Sequence, residues 1–139
     1  MSLSDVHALI IEDDPSSVDV LQNLLEQLTV STTVLMANAN LTDELQTIAR
    51  PDVIFLDLEM PWANGYEILN LLHSDTEFEG VPVVAYTTHI SHMNNARQAG
   101  FHSFLGKPIH RYHFPDNLRR ILNGEQVWEA PQPPAHPLS

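Results

Sequence analysis

Asp57 is the carboxylate for which the sequence offers the clearest chemical setting. It follows four apolar residues at 53–56, and Pro51 and Pro61 stand on either side of the run. A short, continuous apolar run between turn residues predicts a strand that is buried on both faces. In open α/β sheets, ligands bind at the carboxyl ends of such strands. On this stretch alone, a functional role for Asp57 and a simple cap of the following loop are about equally well supported.

Polar groups follow the other apolar runs of the chain in the same way. If these runs are parallel strands, their carboxyl ends meet at one edge of the sheet, and the groups after them gather in one crevice. The groups that follow the runs at 7–11, 81–86 and 103–106 are Glu12, Asp13, Asp14, Thr87, Thr88 and Lys107.

This set of groups suits phosphoryl transfer to a carboxylate. Clustered carboxylates raise each other's pKa unless a cation lies among them, and a few hard oxygen ligands suit Mg²⁺, which also binds phosphate. Lys107 offers a positive charge to a phosphoryl oxygen, and Thr87 offers a hydroxyl donor. Asp57 would then be the nucleophile that forms an aspartyl-phosphate.

Alternating strand and helix patterns must position these groups. Asp14 is favoured as the N-cap of an amphipathic helix rather than as a metal ligand, because Pro15 stands at the first helical position. The repeated strand–helix order predicts a parallel sheet with helices on both faces. Predicted strands lie at 7–11, 32–37, 53–56, 81–86 and 103–106, and predicted helices at 15–28, 41–48, 65–73, 91–99 and 114–122.

The pattern predicts one domain at 5–124 and an extended tail at 125–139. A chain of 139 residues fits a single core. The tail is rich in proline and has no apolar period, which indicates a segment that lies outside the fold. Trp128, near the start of the tail, is expected to pack back on the domain.

Composition and charge exclude several classes of protein. The net charge is −12, from 6 basic and 18 acidic residues, so the chain lacks the basic surface that nucleic-acid binding needs. It has no cysteine for a disulfide framework or a thiolate site. No apolar run reaches the roughly 18 residues of a membrane span, and no signal-peptide pattern is present. These features are compatible with a cytoplasmic protein that binds other proteins.

The 8 histidines of the chain suggest a metal site at first sight. His89 and His92 form one pair with a spacing of three, and His110 and His113 form another. Neither pair has a carboxylate or cysteine beside it in a metal-binding pattern. Both pairs are therefore predicted to be solvated side chains.

The combined motifs resemble the response-regulator receiver domain of two-component signalling over residues 8–123. Each motif is weak alone, but five in the family's order and spacing are specific. The resemblance implies a flavodoxin-like, doubly wound, five-stranded parallel sheet in the order 2-1-3-4-5 with helices on both faces. The matching segments are 9–14, 53–61, 64–67, 82–88 and 104–108.

The resemblance also implies a role for each residue of the crevice. The phosphoryl group would be accepted by one carboxylate, Mg²⁺ would be bound beside it, and a hydroxyl, an ammonium group and an aromatic ring would respond to phosphorylation. The implied roles are phosphoacceptor for Asp57; Mg²⁺ ligands for Glu12, Asp13, Asp57 and the backbone carbonyl of Glu59; and phosphoryl binding and switching for Thr87, Lys107 and Phe104.

Three features depart from the usual pattern of the family. Thr88 stands where alanine is usual and would restrict access to the phosphoryl group. Phe104 stands where tyrosine is common, so a hydroxyl contact with partners is lost. Glu59 and His89 occupy positions that tune dephosphorylation in the family; the Glu59 carboxylate would either crowd the metal or repel an incoming water.

The leading hypothesis is a single-domain response regulator rather than an enzyme. It would take a phosphoryl group from a histidine kinase or a histidine phosphotransfer protein and signal through an unidentified partner protein, as a monomer or a weak dimer. The output and dimer face would comprise the helix at 91–99, the strand at 103–106 and the last helix. Two rivals are a haloacid-dehalogenase-like phosphatase, which places its nucleophile on the first strand, and a binding module that has lost phosphorylation.

Overall fold

Strands and helices alternate along the chain in the computed structural model, which describes residues 2–38, 40–60 and 64–131. Single 3₁₀ turns add to these elements at Leu3–Asp5, Thr76–Phe78 and Ile90–His92. The strands are β1 (His7–Ile11), β2 (Ser31–Leu35), β3 (Val53–Asp57), β4 (Val83–Thr87), β5 (Ser103–Gly106) and β6 (Trp128–Glu129). The helices are α1 (Pro15–Gln27), α2 (Leu41–Leu45), α3 (Gly65–Ser74), α4 (Met93–Ala99) and α5 (Phe114–Leu122).

The strands form one sheet in the order β2-β1-β3-β4-β5-β6, and every neighbouring pair is parallel. This arrangement confirms the predicted flavodoxin-like order 2-1-3-4-5. Every residue of β3 is buried because helices cover both faces of the sheet. Phe55 faces a core with α1 and α5, whereas Ile54 and Leu56 face a second core with α2, α3 and α4.

The sixth strand is a departure from the predicted five-stranded sheet and from the predicted extended tail. Phe104 N donates to the Val127 carbonyl at 2.8 Å, and Val127 N donates to Ser103 Oγ at 2.9 Å. The predicted packing of Trp128 is confirmed, since its ring lies under the Arg97 guanidinium at 4.5 Å. A strand of two residues is too short to produce a hydrophobic period, so the sequence pattern could not reveal it.

Local sequence fixes the two helices that begin beside the carboxyl edge. Asp14 is the N-cap of α1, as predicted, and its side chain accepts a hydrogen bond from Ser16 N at 3.2 Å. Gly65 begins α3, where a Cβ atom would lie 2.7 Å from Leu58 Cδ2 and 3.3 Å from the Asp57 carbonyl oxygen. The missing side chain therefore lets α3 start against the end of β3. Within the described ranges, every helix is too short or too polar to cross a membrane.

Candidate functional site

The polar groups predicted to share one edge lie at the carboxyl ends of four strands. Glu12 follows β1, Asp57 and Thr87 are the last residues of β3 and β4, and Lys107 follows β5. The pairing of Asp57 with Tyr86 across β3 and β4 brings the ends of these central strands level. The parallel sheet thus positions several reactive groups although they are far apart in sequence.

Lys107 lies between two buried carboxylates. Its Nζ atom is 2.9 Å from Glu12 Oε2 and 3.4 Å from Asp57 Oδ1, and it also donates to Ser17 Oγ at 3.2 Å. Glu12 and Asp57 are each only 2% exposed. Buried charges require a partner of opposite sign, and Lys107 supplies one positive charge for the pair.

The two carboxyl groups titrate as a coupled pair. Burial and, next in size, the hydrogen bond with the Glu12 carboxyl group together raise the pKa of Asp57 to about 7. Burial alone would raise the pKa of Glu12, but hydrogen bonds from Asp57, Tyr86 and Lys107 outweigh it and hold that pKa below its usual value. Without a second cation, the pair therefore keeps one proton below about pH 7.

Tyr86 is a site residue that the sequence did not reveal. Its hydroxyl donates to Glu12 Oε2 at 2.7 Å, and Lys107 Nζ lies 4.3 Å from the centre of its ring. Burial and the neighbouring carboxylates raise the pKa of this phenol, so it remains a hydrogen-bond donor. The sequence places Tyr86 only in an apolar strand, because a tyrosine in such a run does not indicate which group its hydroxyl contacts.

Thr87 and Phe104 are both fully buried. Thr87 Oγ1 accepts a hydrogen bond from His89 N at 3.2 Å, and the Thr87 carbonyl accepts one from Lys107 N at 2.8 Å. Phe104 packs in the core that contains α3 and α4. The hydroxyl group is therefore engaged with the loop after β4, and the aromatic ring is directed inward.

The Glu59 carboxylate binds the loop that follows β4. It accepts hydrogen bonds from Thr88 Oγ1 at 2.6 Å and Thr88 N at 3.2 Å, and it pairs with His89 Nε2 at 2.9 Å. Burial would raise the pKa of Glu59, but its hydrogen bonds with Thr88 and Thr87 and the nearby His89 lower it. The backbone of Glu59 also contacts the site, since its N–H donates to Asp57 Oδ1 at 3.0 Å.

The Asp13 carboxylate forms a hydrogen bond with the backbone after β2 rather than with Glu12 or Asp57. Its Oδ1 atom accepts a hydrogen bond from Ala37 N at 3.0 Å, two residues after the end of β2. Pro61 and Trp62, which belong to the predicted loop beside the site, lie outside the described residues.

The donor set of the site fits a hard divalent cation. Mg²⁺ requires only one or two carboxylates and keeps several waters, and the site offers the carboxylates of Asp57 and Asp13. The pKa of Asp57 is raised although Lys107 acts to lower it, so one lysine does not offset the burial of both carboxylates. A carboxylate has several lone-pair positions, so the bond from Ala37 leaves Asp13 able to bind a metal.

A family model and several known proteins match most of this chain. The family model of the response regulator receiver domain matches residues 8–119. Protein RcaC of Microchaete diplosiphon is 29% identical over 122 residues, which cover 86% of this chain but only 19% of RcaC. The polar-differentiation response regulator DivK of Brucella anthropi is 27% identical over 116 residues, 82% of this chain and 94% of DivK.

One solved structure carries information about a metal. It is the receiver domain of the sensor histidine kinase PA1611 from Pseudomonas aeruginosa, described with a magnesium ion coordinated in its active-site cleft. It is 25% identical, with a TM-score of 0.74, over 85% of this chain and 98% of that one.

Proposed function

Since this chain belongs to the response regulator receiver domain family, we propose that Asp57 accepts a phosphoryl group from a phosphohistidine. The donor would be a histidine kinase or a histidine phosphotransfer protein. The observation that carries the proposal is the position of Lys107 Nζ, 2.9 Å from Glu12 and 3.4 Å from Asp57 at the carboxyl edge of the sheet. Lys107 would stabilise the additional negative charge that a phosphoryl group brings to Asp57.

The reaction makes one bond and breaks another. A carboxylate oxygen of Asp57 bonds to phosphorus while the bond between phosphorus and the donor imidazole nitrogen breaks, which releases the imidazole. The Asp57 carboxylate must be unprotonated to attack. Because its pKa is about 7, the proton that it holds at lower pH has to leave first. When bound by Asp13, Asp57 and the Glu59 carbonyl, with Glu12 reaching it through water, Mg²⁺ would neutralise charge on the transferring group.

The residues around Asp57 would respond to the new charge. Lys107 would follow the phosphoryl oxygens and weaken its bond with Glu12. The Thr87 hydroxyl would leave its bond with His89 N and donate to the phosphoryl group instead. Movement of Thr87 would leave room for Phe104, and the change would reach the face formed by α4, β5 and α5.

That face is also the proposed surface for an output protein or for weak dimerisation. The net charge of −12 favours a protein partner rather than nucleic acid. Because β6 pairs with β5, a partner would meet Trp128 and Arg97 together with α4. The proposed role of Glu59 and His89 is to tune dephosphorylation through the loop that they hold.

Phosphorylation can be tested with acetyl phosphate and Mg²⁺, followed by intact mass. We expect the gain of one phosphoryl group per chain and no gain for Asp57→Asn, which keeps the shape of the side chain. An equal gain in that variant would rule out Asp57 as the acceptor.

The same mixture separates a receiver from a phosphatase. A receiver releases about one phosphate for each phosphorylation of Asp57, whereas a phosphatase of the haloacid dehalogenase type turns over an added phosphomonoester many times. Sustained turnover of a phosphomonoester would contradict the proposal. A chain that is never labelled by any phosphohistidine donor would instead support the binding module.

A further inference from the structure

We propose that His110, His113 and Glu129 form a binding site for a divalent transition metal ion such as Zn²⁺. Their ligand atoms all lie within 4.8 Å of one another. Imidazole nitrogen and carboxylate oxygen are ligands that Zn²⁺ prefers, and three protein ligands leave one position for water. The site lies outside the Asp57 crevice and does not depend on phosphorylation.

The two histidines are held in the turn that leads into α5. His113 N and Phe114 N both donate to the His110 carbonyl, at 3.2 Å and 2.9 Å. The imidazole rings stack with their centroids 4.7 Å apart. The spacing of three residues in this tight turn thus brings the two rings to the same side of the chain.

The carboxylate comes from the strand that was not predicted. Glu129 lies in β6, which pairs with β5 through Leu105, and its Oε2 atom is 3.1 Å from His113 Nδ1. The sequence does not associate Glu129 with the histidine pair, because Glu129 is 16 residues from His113 along the chain. The fold supplies the missing type of ligand.

The distances fit a tetrahedral ion after small side-chain rotations. Zn²⁺ binds at about 2.0–2.1 Å, so two ligand atoms of a tetrahedral site are about 3.4 Å apart. The contact between His113 and Glu129, at 3.1 Å, is already close to that separation. The stacked His110 ring must turn so that its nitrogen points to the ion, and the half-buried and exposed positions of these side chains leave room for the rotation.

A bound ion would fasten β6 to the turn before α5. Two hydrogen bonds with backbone donors attach this segment to β5: Phe104 N donates to the Val127 carbonyl, and Val127 N donates to Ser103 Oγ. Because the metal would join Glu129 to both histidines, opening β6 would require loss of a ligand. Exchange of these two amide protons should therefore slow when the ion binds.

The first experiment is calorimetric titration of the untagged protein with Zn²⁺ in an excess of Mg²⁺. We expect the parent protein to bind one equivalent of zinc at this site. In both His113→Ala and Glu129→Gln, this binding should disappear or its affinity should fall at least about tenfold. The latter variant keeps an oxygen that can accept from His113, so its loss of zinc reports the ligand rather than the fold. Matched controls are His73→Ala, and Glu125→Gln in the same segment; both should bind like the parent.

The second experiment is amide exchange with and without Zn²⁺. Exchange at Phe104 and Val127 should slow at least about fivefold in the parent and remain unchanged in Glu129→Gln, as expected for a ligand that binds only the closed segment. The proposal is overturned if the parent binds no zinc, or if zinc binding survives both ligand variants. It is also overturned if zinc leaves the exchange of both amides unchanged. Asp57→Asn should keep this zinc site, so failure here and failure of phosphorylation are separate results.

Discussion

The Tyr86 hydroxyl donates a 2.7 Å hydrogen bond to Glu12 Oε2, the same oxygen that Lys107 Nζ reaches at 2.9 Å. Tyr86 therefore holds the Glu12 carboxylate from the β4 side while Lys107 holds it from the β5 side. Because all three groups are largely shielded from water, each bond matters more than it would at the surface. The position of Lys107 relative to Asp57 depends on this arrangement.

The first prediction is that Tyr86→Phe lowers the free energy of unfolding by about 1–3 kcal/mol, because a buried carboxylate loses a donor. Urea denaturation measures the change. Tyr66→Phe is the matched control, since that hydroxyl lies 3.2 Å from His92 Nδ1 in a half-buried place, and we expect a loss below about 1 kcal/mol. Equal losses in the two variants would contradict the special role of the Tyr86 bond.

The second prediction concerns pH in the absence of divalent cations. The pKa of Asp57 is about 7 in the folded protein, whereas that of an aspartate in the unfolded chain is about 3.9. Since the unfolded state then binds fewer protons, this group makes stability fall as pH rises from about 4 to 7, by at most about 1.4 kcal/mol per pH unit.

Asp57→Asn isolates that contribution, because every other ionisable group is the same in the two proteins. We expect its unfolding free energy in chelator to fall less than that of the parent between pH 5 and about 7, as measured by denaturation at each pH. Parallel curves for the two proteins would show that Asp57 does not retain the proton.

The elements that the sequence predicted correctly are those whose pattern is local. Val53 to Leu56 is apolar throughout, so its burial on both faces and the place of Asp57 at its end follow from the run itself. Asp14 and Pro15 likewise mark the start of α1 by cap preference. The order of the sheet followed from the family resemblance together with the strand–helix alternation.

The features that were missed depend on pairing between distant segments. β6 is two residues long, and its attachment to β5 depends on the buried Val127 and on Trp128 rather than on a period. The Tyr86 hydroxyl meets Glu12 across 74 residues. The Glu129 carboxylate reaches His113 only because β6 forms. The prediction that His110 and His113 are solvated was therefore made without knowledge of this contact.

The third prediction concerns the loop that Glu59 holds. Glu59→Gln should loosen it, because the amide cannot accept from both Thr88 groups and pair with His89 as the carboxylate does. We expect exchange of the Thr88 amide proton to rise by about fivefold, as for loss of about 1 kcal/mol of local stability. Thr88→Ala removes only the hydroxyl contact and should give a smaller rise. Unchanged exchange in Glu59→Gln would show that the carboxylate does not hold the loop.

The fourth prediction separates the packed part of the C-terminal segment from the remainder. A chain ending at Gly124 loses Val127, which is 4% exposed, and Trp128, so we expect about 2–4 kcal/mol less stability. A chain ending at Pro131 keeps both residues and should unfold within about 1 kcal/mol of the full chain. Urea denaturation of the two truncated proteins decides the matter, and equal stability would mean that β6 contributes nothing to the fold.

The last prediction uses a glycine to test how closely the segment lies on β5. A Cβ atom at Gly106 would overlap the ring and backbone nitrogen of Pro131. Gly106→Ala should therefore push residue 131 away from β5, weaken β6, and cost about 1–3 kcal/mol in the full chain. In the chain that ends at Gly124, Pro131 is absent, so the same substitution should cost little. The difference between the two costs isolates the contact, and equal costs would show that Pro131 does not lie against Gly106.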